Sequence, residues 1–447
     1  MDYENGKKLI EKKYFNQALK YFRTFLKNKP NDLRANFQMG KIYYELNNLK
    51  QSVIFFQRCN EIKPNNLNIL FNLALTLQAM GKIEEAKKKY LEVIYINSND
   101  VKSYYGLNFL NTKNITLEFY KNLKKINEKK EASIFEKSLI NFIFSKIEKN
   151  KKNLKEEINF LDLSHKLCYE SNLLINKQSN FYYENIISKH CDNIKFVKSF
   201  EPVKNFNNSK HLFVIGLPRS GSTLVETIIS HNANNIVSLG EFHGINTSIL
   251  NQIGNKIYSK NFDTKNYQLE LNRKIFQDNL LEKYNNFDKN IFLDKSLENF
   301  FNIEIILQFF PNSKFIHTFR GFNDTIIAIY QTMLPELSWC HKIEDIIKYY
   351  NFYKNTIEYF KKKYPNKIID VELSKLTSQK ETETKKILDF CEIKYNENYL
   401  DYNKNFNLFN KTNSFLQVRE KIKPYEDKKY QKYYYLLKKK LKFKCIY

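Results

Sequence analysis

A short loop between a predicted strand and a predicted helix carries residues suited to binding an anion. The run His211-Leu-Phe-Val-Ile-Gly216 is apolar and indicates a buried strand, and Leu224-Val-Glu-Thr-Ile-Ile-Ser230 indicates a helix. The segment between them contains Arg219, Gly221 and Ser222. Backbone N–H groups at the start of such a helix point outward, and the helix dipole favours negative charge there. The sequence therefore predicts an anion site at the loop and the first helical turn.

The spacing of the loop glycines is that of a nucleotide-binding P-loop, but one essential residue differs. Gly216 and Gly221 match the pattern GxxxxGK[ST], and Ser222 stands where that pattern has its lysine. A nucleoside triphosphatase needs this lysine on the β- and γ-phosphates and a metal ion between them. Arg219 lies inside the turn and offers a planar fork to a phosphate-like group. This favours a smaller anion, bound without a required metal, over a P-loop kinase. A strand, turn and helix without a ligand is the alternative.

The loop resembles that of sulfotransferases that use 3′-phosphoadenosine-5′-phosphosulfate (PAPS), above all tyrosylprotein sulfotransferases and their bacterial relatives. That family has a P-R-S-G-[ST]-T loop after a strand, and this chain has Pro218-Arg-Ser-Gly-Ser-Thr223. The resemblance continues through further segments of residues 210–447. It implies that PAPS is bound by the loop residues Pro218, Arg219, Ser220, Gly221, Ser222 and Thr223.

A second segment, Ser238-Leu-Gly-Glu-Phe-His243, stands at the end of the strand predicted at 235–239. The resemblance implies that Glu241 is the catalytic base that takes the acceptor's proton. A carboxylate needs a raised pKa or tight positioning for this task near neutrality. Other sulfotransferase branches use histidine, so His243 is the alternative base. A helix N-terminal carboxylate without a catalytic role is a third interpretation of Glu241.

Two further segments supply positive charge at predicted strand ends. The resemblance implies that Lys295, in Phe292-Leu-Asp-Lys-Ser296, contacts the transferring group and the leaving oxygen. Arg320 ends the strand predicted at 314–319, and ligands of open α/β sheets bind at such ends. By the resemblance, Arg320 binds the 3′-phosphate of PAPS.

The segment after Arg320 departs from the family pattern. The family's R-D-P or R-D-G reads Arg320-Gly-Phe322 here, and its serine eight residues after the arginine is Ala328. One neutral hydrogen bond, worth about 0.5–1.5 kcal/mol, is therefore missing. We expect weaker cofactor affinity or a substitute donor such as Thr325.

A C-terminal segment completes the resemblance. Ser414-Phe-Leu-Gln-Val-Arg419 is followed by Lys429-Tyr430 at the family's spacing. By analogy, Ser414 approaches the bridging oxygen and Lys429 helps to hold the nucleotide. Only seven of the 73 basic residues are arginine, and three of the seven lie in these motifs, at 219, 320 and 419.

The N-terminal region repeats itself every 34 residues. Small residues, aromatic residues and turn residues recur with this period in four sets: Ala18, Ser52 and Ala86; Phe22, Phe56 and Tyr90; Gly6, Gly40 and Ala74; Phe15, Leu49 and Ile83. The pattern resembles the tetratricopeptide repeat, a helix–turn–helix unit, over roughly residues 1–100. A generic helical bundle is the alternative. Such repeats stack into a solenoid that usually binds peptides or proteins.

These observations predict an α-solenoid of tetratricopeptide repeats, followed by an α/β domain with a P-loop-like parallel sheet. The predicted domains are the repeats at 1–112, a helical connector at 113–205 and a sulfotransferase domain at 206–447. Further strands are predicted at 290–293 and 367–371.

Composition limits the classes of function. The net charge of +25 permits an anionic ligand or acidic partner. Six scattered cysteines form no CxxC pair, which indicates reduced thiols, neither a zinc site nor a disulfide framework, and a cytoplasmic location. No apolar run is long enough to span a membrane, and the N-terminus lacks a signal peptide's apolar stretch. The basic tail from residue 420 is interpreted as an amphipathic helix rather than a nucleic-acid site.

The predicted function is sulfuryl transfer from PAPS to a hydroxyl acceptor, with the positive charge supplied by protein side chains and no metal. The family suggests protein tyrosine as the acceptor, and saccharides, lipids and small phenols stay open. The alternative is a scaffold that binds proteins through its repeats and keeps an inactive nucleotide-binding module.

Overall fold

The computed structural model describes residues 2–12, 14–187, 194–196, 209–233, 235–259, 261–263, 265, 269–271, 291–395, 424–425 and 429–441. These residues form two compact units, one within residues 1–173 and one that begins at residue 174. The predicted domain boundaries after residues 112 and 205 stay predictions.

The described part of the first unit is helical throughout. Its helices are α1 (Tyr3–Glu11), α2 (Phe15–Asn28), α3 (Leu33–Glu45), α4 (Leu49–Ile62), α5 (Leu67–Met80), α6 (Ile83–Ile96), α7 (Val101–Leu110), α8 (Leu117–Glu128), α9 (Ile134–Asn150) and α10 (Leu154–Ser171), with a 3₁₀ turn at Thr112–Asn114. Each of the helices α1 to α6 packs against the helix that follows it in the sequence.

The first six helices form three pairs in the predicted 34-residue register. The second helices of the pairs begin at Phe15, Leu49 and Ile83, the apolar residues predicted at the turns. In the first two pairs, a glycine of the first helix, Gly6 or Gly40, lies against an aromatic ring of the second, Phe22 or Phe56. A Cβ added to Gly6 would lie 2.6 Å from the Phe22 ring, so a larger side chain would force these helices apart. The prediction of N-terminal helical repeats is confirmed.

The helices after the repeats also follow the sequence pattern. Helical spacing at 133–148 and 154–170 predicts two helices, and α9 and α10 lie there. Ser133 and Glu136 form a reciprocal capping box at the start of α9, which satisfies two backbone N–H groups. Helix α9 packs against α7, α8 and α10, which explains its many buried side chains.

The second unit is built on a parallel sheet of five strands. They are β2 (Lys210–Gly216), β3 (Ile236–Gly240), β5 (Ile291–Asp294), β6 (Lys314–Phe319) and β7 (Ile368–Glu372), and β1 (Ile194–Phe196) pairs separately with β4 (Leu269–Leu271). The order across the five-stranded sheet is β3-β5-β2-β6-β7. Every predicted strand boundary lies within one residue of the observed one, so the predicted α/β domain is confirmed.

The described part of the second unit also contains helices. They are α11 (Leu173–Asn185), α12 (Ser222–Asn232), α13 (Gly244–Ile257), α14 (Ile303–Phe309), α15 (Phe322–Tyr330), α16 (Ile343–Lys363), α17 (Leu373–Ser378), α18 (Lys380–Phe390) and α19 (Tyr434–Leu441), with 3₁₀ turns at Leu297–Phe301, Ser338–His341 and Gln431–Tyr433. Among the described helices of the chain, none is both long and apolar enough to cross a lipid bilayer.

The sheet has a switch point at the carboxyl end of β2. Strands β5 and β6 flank β2, and the chain passes from one side of β2 to the other between them. A crevice forms outside the strand ends at such a point, and ligands of open α/β sheets bind there. The loop predicted to bind an anion leaves β2 at this place.

Candidate active site

Three residues with positive φ angles bend the loop after β2. The φ angles are 145° at Gly216, 68° at Arg219 and 93° at Gly221. A side chain on Gly216 would place its Cβ 2.3 Å from the carbonyl oxygen of Thr318 on β6, so glycine is required there. The bends lead the chain sharply from β2 into the first turn of α12.

A serine of the loop ties it to strand β6. The Ser220 hydroxyl donates to the carbonyl oxygen of Leu217 at 2.7 Å and lies 2.8 Å from the Thr318 hydroxyl. Thr318 donates to the carbonyl oxygen of Ile215 at 3.2 Å. Both hydroxyl-bearing side chains are buried. Ser220 therefore maintains the shape of the loop.

The loop ends at the start of α12, where an anion can be received. Gly221 is the N-cap residue, and no side-chain hydrogen bond caps this helix end within the described part of the chain. Ser222 and Thr223 are buried in the first turn, and Pro218 is half-buried before it. The first backbone N–H groups of a helix have no partner inside the helix, so they can bind an anion.

Two arginines stand near each other beside this loop. Burial lowers the pKa of Arg219, Tyr430 acts to raise it, and the positive charge of Arg320 lowers it further. Arg320 is only 6% exposed, and its Nη2 donates to the backbone oxygen of Asp324 at 2.9 Å. The Nε of Arg320 has no hydrogen-bond partner among the described residues. A buried guanidinium with an unused N–H beside a second arginine has the chemistry to bind an anion.

Tyrosines of the C-terminal segment pack onto the residues that follow Arg320. The ring of Tyr430 lies beneath the Arg320 guanidinium, 5.3 Å from ring centre to Cζ. The buried Asp324 carboxylate accepts hydrogen bonds from the hydroxyls of Tyr425 and, at 2.6 Å, Tyr434. Burial and the hydrogen bond to Asp324 raise the pKa of Tyr425, so this hydroxyl stays protonated and can donate. Asp324 thus fastens this segment beside Arg320.

Of the two other predicted site residues near the C-terminus, the structure describes Lys429 but not Ser414. Lys429 is exposed, and its Nζ lies 5.7 Å from the centre of the Tyr430 ring. Its predicted contact with the nucleotide stays a prediction. Ser414 lies outside the described residues.

Glu241 and Lys295 meet at the ends of β3 and β5. The Lys295 Nζ donates to Oε1 of Glu241 at 3.0 Å, and the Lys295 backbone N–H donates to the carbonyl oxygen of Gly240, also at 3.0 Å. Gly240 has a φ of 60°, and the pairing of β3 with β5 is irregular between Ser238 and Gly240. This irregularity turns Glu241 out of the sheet. Its side chain is 46% exposed, whereas that of Lys295 is 1% exposed.

A second carboxylate near Lys295, that of Glu226, was not predicted from the sequence. Oε2 of Glu226, on α12, lies 3.4 Å from the Lys295 Nζ, and Oε1 of Glu226 accepts the Ser238 hydroxyl at 2.6 Å. Burial acts to lower the pKa of Lys295, but Glu226 and Glu241 outweigh it, so the pKa is raised and the ammonium stays charged. The available signal was a single carboxylate on the helix after the loop.

His243, the alternative base, lies at the start of α13. It is the N-cap residue, with φ 49°, and is exposed. Its backbone N–H donates to the Ser296 hydroxyl at 2.7 Å, and the Ser296 N–H donates to Asp294 Oδ1 at 2.7 Å. Both candidate bases are therefore positioned by the segment that carries Lys295.

The residues considered for the missing hydrogen bond to the 3′-phosphate lie on α15. Ala328 is buried, and the Thr325 hydroxyl donates to the backbone oxygens of Arg320 at 3.2 Å and Gly321 at 2.9 Å. Because the Thr325 hydroxyl proton serves the backbone, Thr325 is a poor substitute donor in this arrangement.

Comparisons with known proteins agree with the two-part architecture. Residues 211–397 match the model of the sulfotransferase family, a family of PAPS-dependent transferases. Residues 33–66 and 55–88 match models of the tetratricopeptide repeat. The chain therefore contains a sulfotransferase-family domain with tetratricopeptide repeats in front of it.

Individual relatives match to different extents. An uncharacterized protein of Aquifex aeolicus is 24% identical over 417 residues, which cover 88% of this chain and 52% of that protein. A TPR repeat-containing protein of Methanocaldococcus jannaschii is 32% identical over 84 residues, 19% of this chain and 15% of that protein. The chain thus spans about half the length of the first relative and less of the second. The crystal structure of sulfotransferase STF1 from Mycobacterium tuberculosis is similar at 10% identity, with a TM-score of 0.31 and coverage of 69% of this chain and 98% of that one.

Proposed function

We propose that this protein transfers the sulfuryl group of PAPS to a hydroxyl acceptor. One observation carries the proposal, which concerns three neighbouring strand ends. Lys295, the loop at 217–221 (here called the anion loop) and Arg320 follow the adjacent parallel strands β5, β2 and β6 at the same edge of the sheet. Positive charge on three neighbouring strand ends suits a donor that bears phosphate groups and a sulfuryl group. The unused Nε of buried Arg320 supports a phosphate there.

In the proposed reaction the acceptor oxygen attacks sulfur in line with the leaving phosphate. The bond between the acceptor oxygen and sulfur forms as the bond between sulfur and the phosphate oxygen breaks. The electron pair leaves with 3′-phosphoadenosine-5′-phosphate (PAP), and the acceptor's proton passes to Glu241. Arg219, Lys295, Ser414 and the loop N–H groups stabilise the charge that develops on the leaving phosphate. These groups supply the positive charge, so the proposal requires no metal ion.

The two phosphate groups of the nucleotide are assigned to two of these strand ends. Residues Pro218 to Thr223 cradle the 5′-phosphate, and Arg320 binds the 3′-phosphate. Tyr430 stacks under the Arg320 guanidinium and helps to orient it, with Lys429 beside this ring as a further cation. Ala328 leaves one neutral hydrogen bond unmade at this phosphate.

The acceptor proposed is a protein tyrosine, presented by a protein or peptide bound to the repeats. The net charge of +25 suits an acidic polypeptide.

A cytoplasmic location is proposed from the cysteine pattern, and nucleic acid is not a proposed partner. The four described cysteines, Cys59, Cys168, Cys340 and Cys391, are buried.

A protein-binding scaffold with an inactive nucleotide module is the second candidate. Ala328 and the altered sequence Arg320-Gly-Phe322 favour it, because both remove family features near the 3′-phosphate. Such a scaffold would bind PAP without transferring a sulfuryl group.

The test of the proposed function measures both the binding of PAP and the transfer of the sulfuryl group from PAPS. PAP should raise the melting temperature without magnesium, and ATP with magnesium should not. Arg320→Gln should remove the effect of PAP, whereas Arg34→Gln in the other unit should keep it. Equal stabilisation by PAP and ATP contradicts the assignment to sulfotransfer. Binding of PAP without transfer from PAPS to tyrosine, saccharide, lipid or phenol acceptors favours the scaffold.

A further inference from the structure

One buried cation stands between two carboxylates in the candidate active site. The Lys295 Nζ lies 3.0 Å from Glu241 Oε1 and 3.4 Å from Glu226 Oε2. The two carboxylates differ in access to solvent, because the Glu226 side chain is 10% exposed and that of Glu241 is 46% exposed. Among the described residues, these two are the charged groups that act on the Lys295 ammonium.

Glu226 is itself fixed from two sides. It projects from α12, the helix that begins at the anion loop, and its Oε1 accepts the Ser238 hydroxyl of β3 at 2.6 Å. Its Oε2 is the atom that faces Lys295. Glu226 therefore links the helix after the loop to β3, the strand that precedes Glu241, and it contacts the lysine.

We propose that Glu226 is a positioning residue that serves as the permanent counter-ion of Lys295, so that Glu241 is free to accept a proton. The proposal rests on the proposed sulfuryl transfer. It assigns the two carboxylates different tasks: the buried one keeps the lysine charged and in place, and the exposed one acts on the acceptor.

The charge changes during transfer require such a division. When Glu241 takes the acceptor's proton it becomes neutral and stops balancing the charge of Lys295. A buried ammonium without a counter-ion is costly and tends to lose its own proton. Glu226 takes no part in this proton transfer, so its negative charge remains beside Lys295. The Lys295 ammonium can then stabilise the negative charge that develops on the sulfuryl oxygens and the leaving phosphate.

Replacement of Glu226 by an uncharged residue of equal size tests the proposal. In Glu226→Gln the protonation of the buried Lys295 is followed over a pH series by the NMR chemical shift of its ¹³Cε, assigned by comparison with Lys295→Arg. This shift differs between the ammonium and the neutral amine, so its midpoint reports the pKa of Lys295. The midpoint should fall by about one to three pH units, since an anion beside the ammonium is lost. Glu381→Gln removes the same charge from an exposed pair with Lys385 and should leave the midpoint unchanged.

Kinetics of the same variant test the consequence for catalysis. With PAPS and a peptide that carries a tyrosine flanked by aspartates, kcat of Glu226→Gln should fall about 10- to 100-fold through misplacement of Lys295. The alkaline limb of kcat/KM should move to lower pH with the titration midpoint of Lys295, and PAP affinity should change less than about twofold. Glu226→Asp, which keeps the charge at shorter reach, should give smaller changes in the same direction and serves if the glutamine variant does not fold.

Failure of this inference is distinct from failure of the proposed function. A wild-type protein that neither binds PAP nor transfers a sulfuryl group contradicts the function, whatever the titration midpoints of Lys295 are. In an active wild type, an unmoved midpoint in Glu226→Gln overturns the role of counter-ion. A lowered midpoint with unchanged kcat and an unchanged alkaline limb overturns the positioning role.

Discussion

The ammonium of Lys295 donates a 3.0 Å hydrogen bond to the carboxylate of Glu241, which joins a fully buried cation to an exposed anion. The two residues follow neighbouring parallel strands, and the Lys295 backbone N–H also donates to Gly240, the residue before Glu241. Both the side chain and the backbone of Lys295 thus position Glu241. Tight positioning of this kind is one way in which a carboxylate can act as a base near neutrality.

Glu241, rather than His243, should be the proton acceptor. Glu241→Gln keeps the size and hydrogen-bonding capacity but cannot take a proton, so turnover should drop by about 10²–10⁴-fold. PAP affinity should be nearly unchanged, because the base faces the acceptor. Steady-state kinetics and calorimetry with PAP measure the two effects. His243→Asn is the matched variant and should cost much less. The base is His243 if the histidine variant loses turnover and the glutamine variant keeps it.

The guanidinium fork of Arg320 should matter as well as its charge. Arg320→Lys keeps the charge but removes the planar fork and its unused Nε–H. PAP affinity should fall by about 10- to 100-fold, the worth of one hydrogen bond to a charged group. Calorimetry with PAP measures this. Arg34→Lys, whose guanidinium lies over the Tyr3 ring of the first unit, is the control and should leave PAP affinity unchanged. Equal affinities for the wild type and Arg320→Lys would place the 3′-phosphate elsewhere.

The hydrogen bond between Tyr434 and Asp324 should support nucleotide binding from a distance. Tyr434→Phe removes the 2.6 Å hydrogen bond and loosens the segment that places Tyr430 under Arg320. Unfolding free energy should fall by about 1–2 kcal/mol. PAP affinity should fall about 2- to 10-fold, the worth of a cation–π contact. Urea unfolding and calorimetry measure these changes, with Tyr359→Phe on α16 as the control. A variant that loses stability but keeps its PAP affinity would show that Tyr430 does not depend on this bond.

His211 on β2 should make the stability of the fold depend on pH. Its ring stacks on Phe292 and Phe310 at centroid distances of 5.3 Å and 4.0 Å, and burial lowers its pKa to about 3. A histidine whose folded pKa lies below its unfolded value near 6.5 contributes full stability above pH 6.5. This contribution is lost as the pH falls toward 3, because the unfolded chain binds the proton first.

Substitution of His211 by phenylalanine isolates this effect. His211→Phe keeps the stacked ring and cannot bind a proton, so its unfolding free energy should rise relative to wild type as the pH falls below 6.5. The difference should reach a few kcal/mol near pH 3, on the basis of 1.36 kcal/mol per pKa unit. Urea unfolding at several pH values measures it. His231→Phe, at the end of α12, controls for the loss of an imidazole. A constant difference between His211→Phe and wild type across the series would contradict the assignment.

Much of the fold could be predicted because its signals are local. The 34-residue period sets three helix pairs, since a small residue and an aromatic residue must meet wherever two helices pack closely. Strands at the end of apolar runs, such as β2 and β6, were predicted to within a residue, because flanking proline, glycine and polar residues end them. The anion loop is also local, as Gly216, Arg219 and Gly221 lie within one turn.

The contacts that complete the candidate site are not local. Glu226 and Lys295 are 69 residues apart, and Tyr434 lies 110 residues from Asp324. A lone glutamate in a helix and a tyrosine in a basic tail have many possible partners in the sequence. Only the order of the sheet selects one, because it brings α12, β3 and β5 to the same buried place.

By itself, the sequence determined the repeats, the strands and the loop chemistry of this protein, because backbone conformation and hydrophobic periodicity depend on neighbouring residues. Only the tertiary structure decided that Lys295 stands between two carboxylates and that Arg320 rests on a C-terminal tyrosine. The physical reason is that a charge acquires its energy from the groups around it in space. For buried ions such as Lys295 and Glu226, these groups come from distant parts of the chain, and burial makes their pairing obligatory.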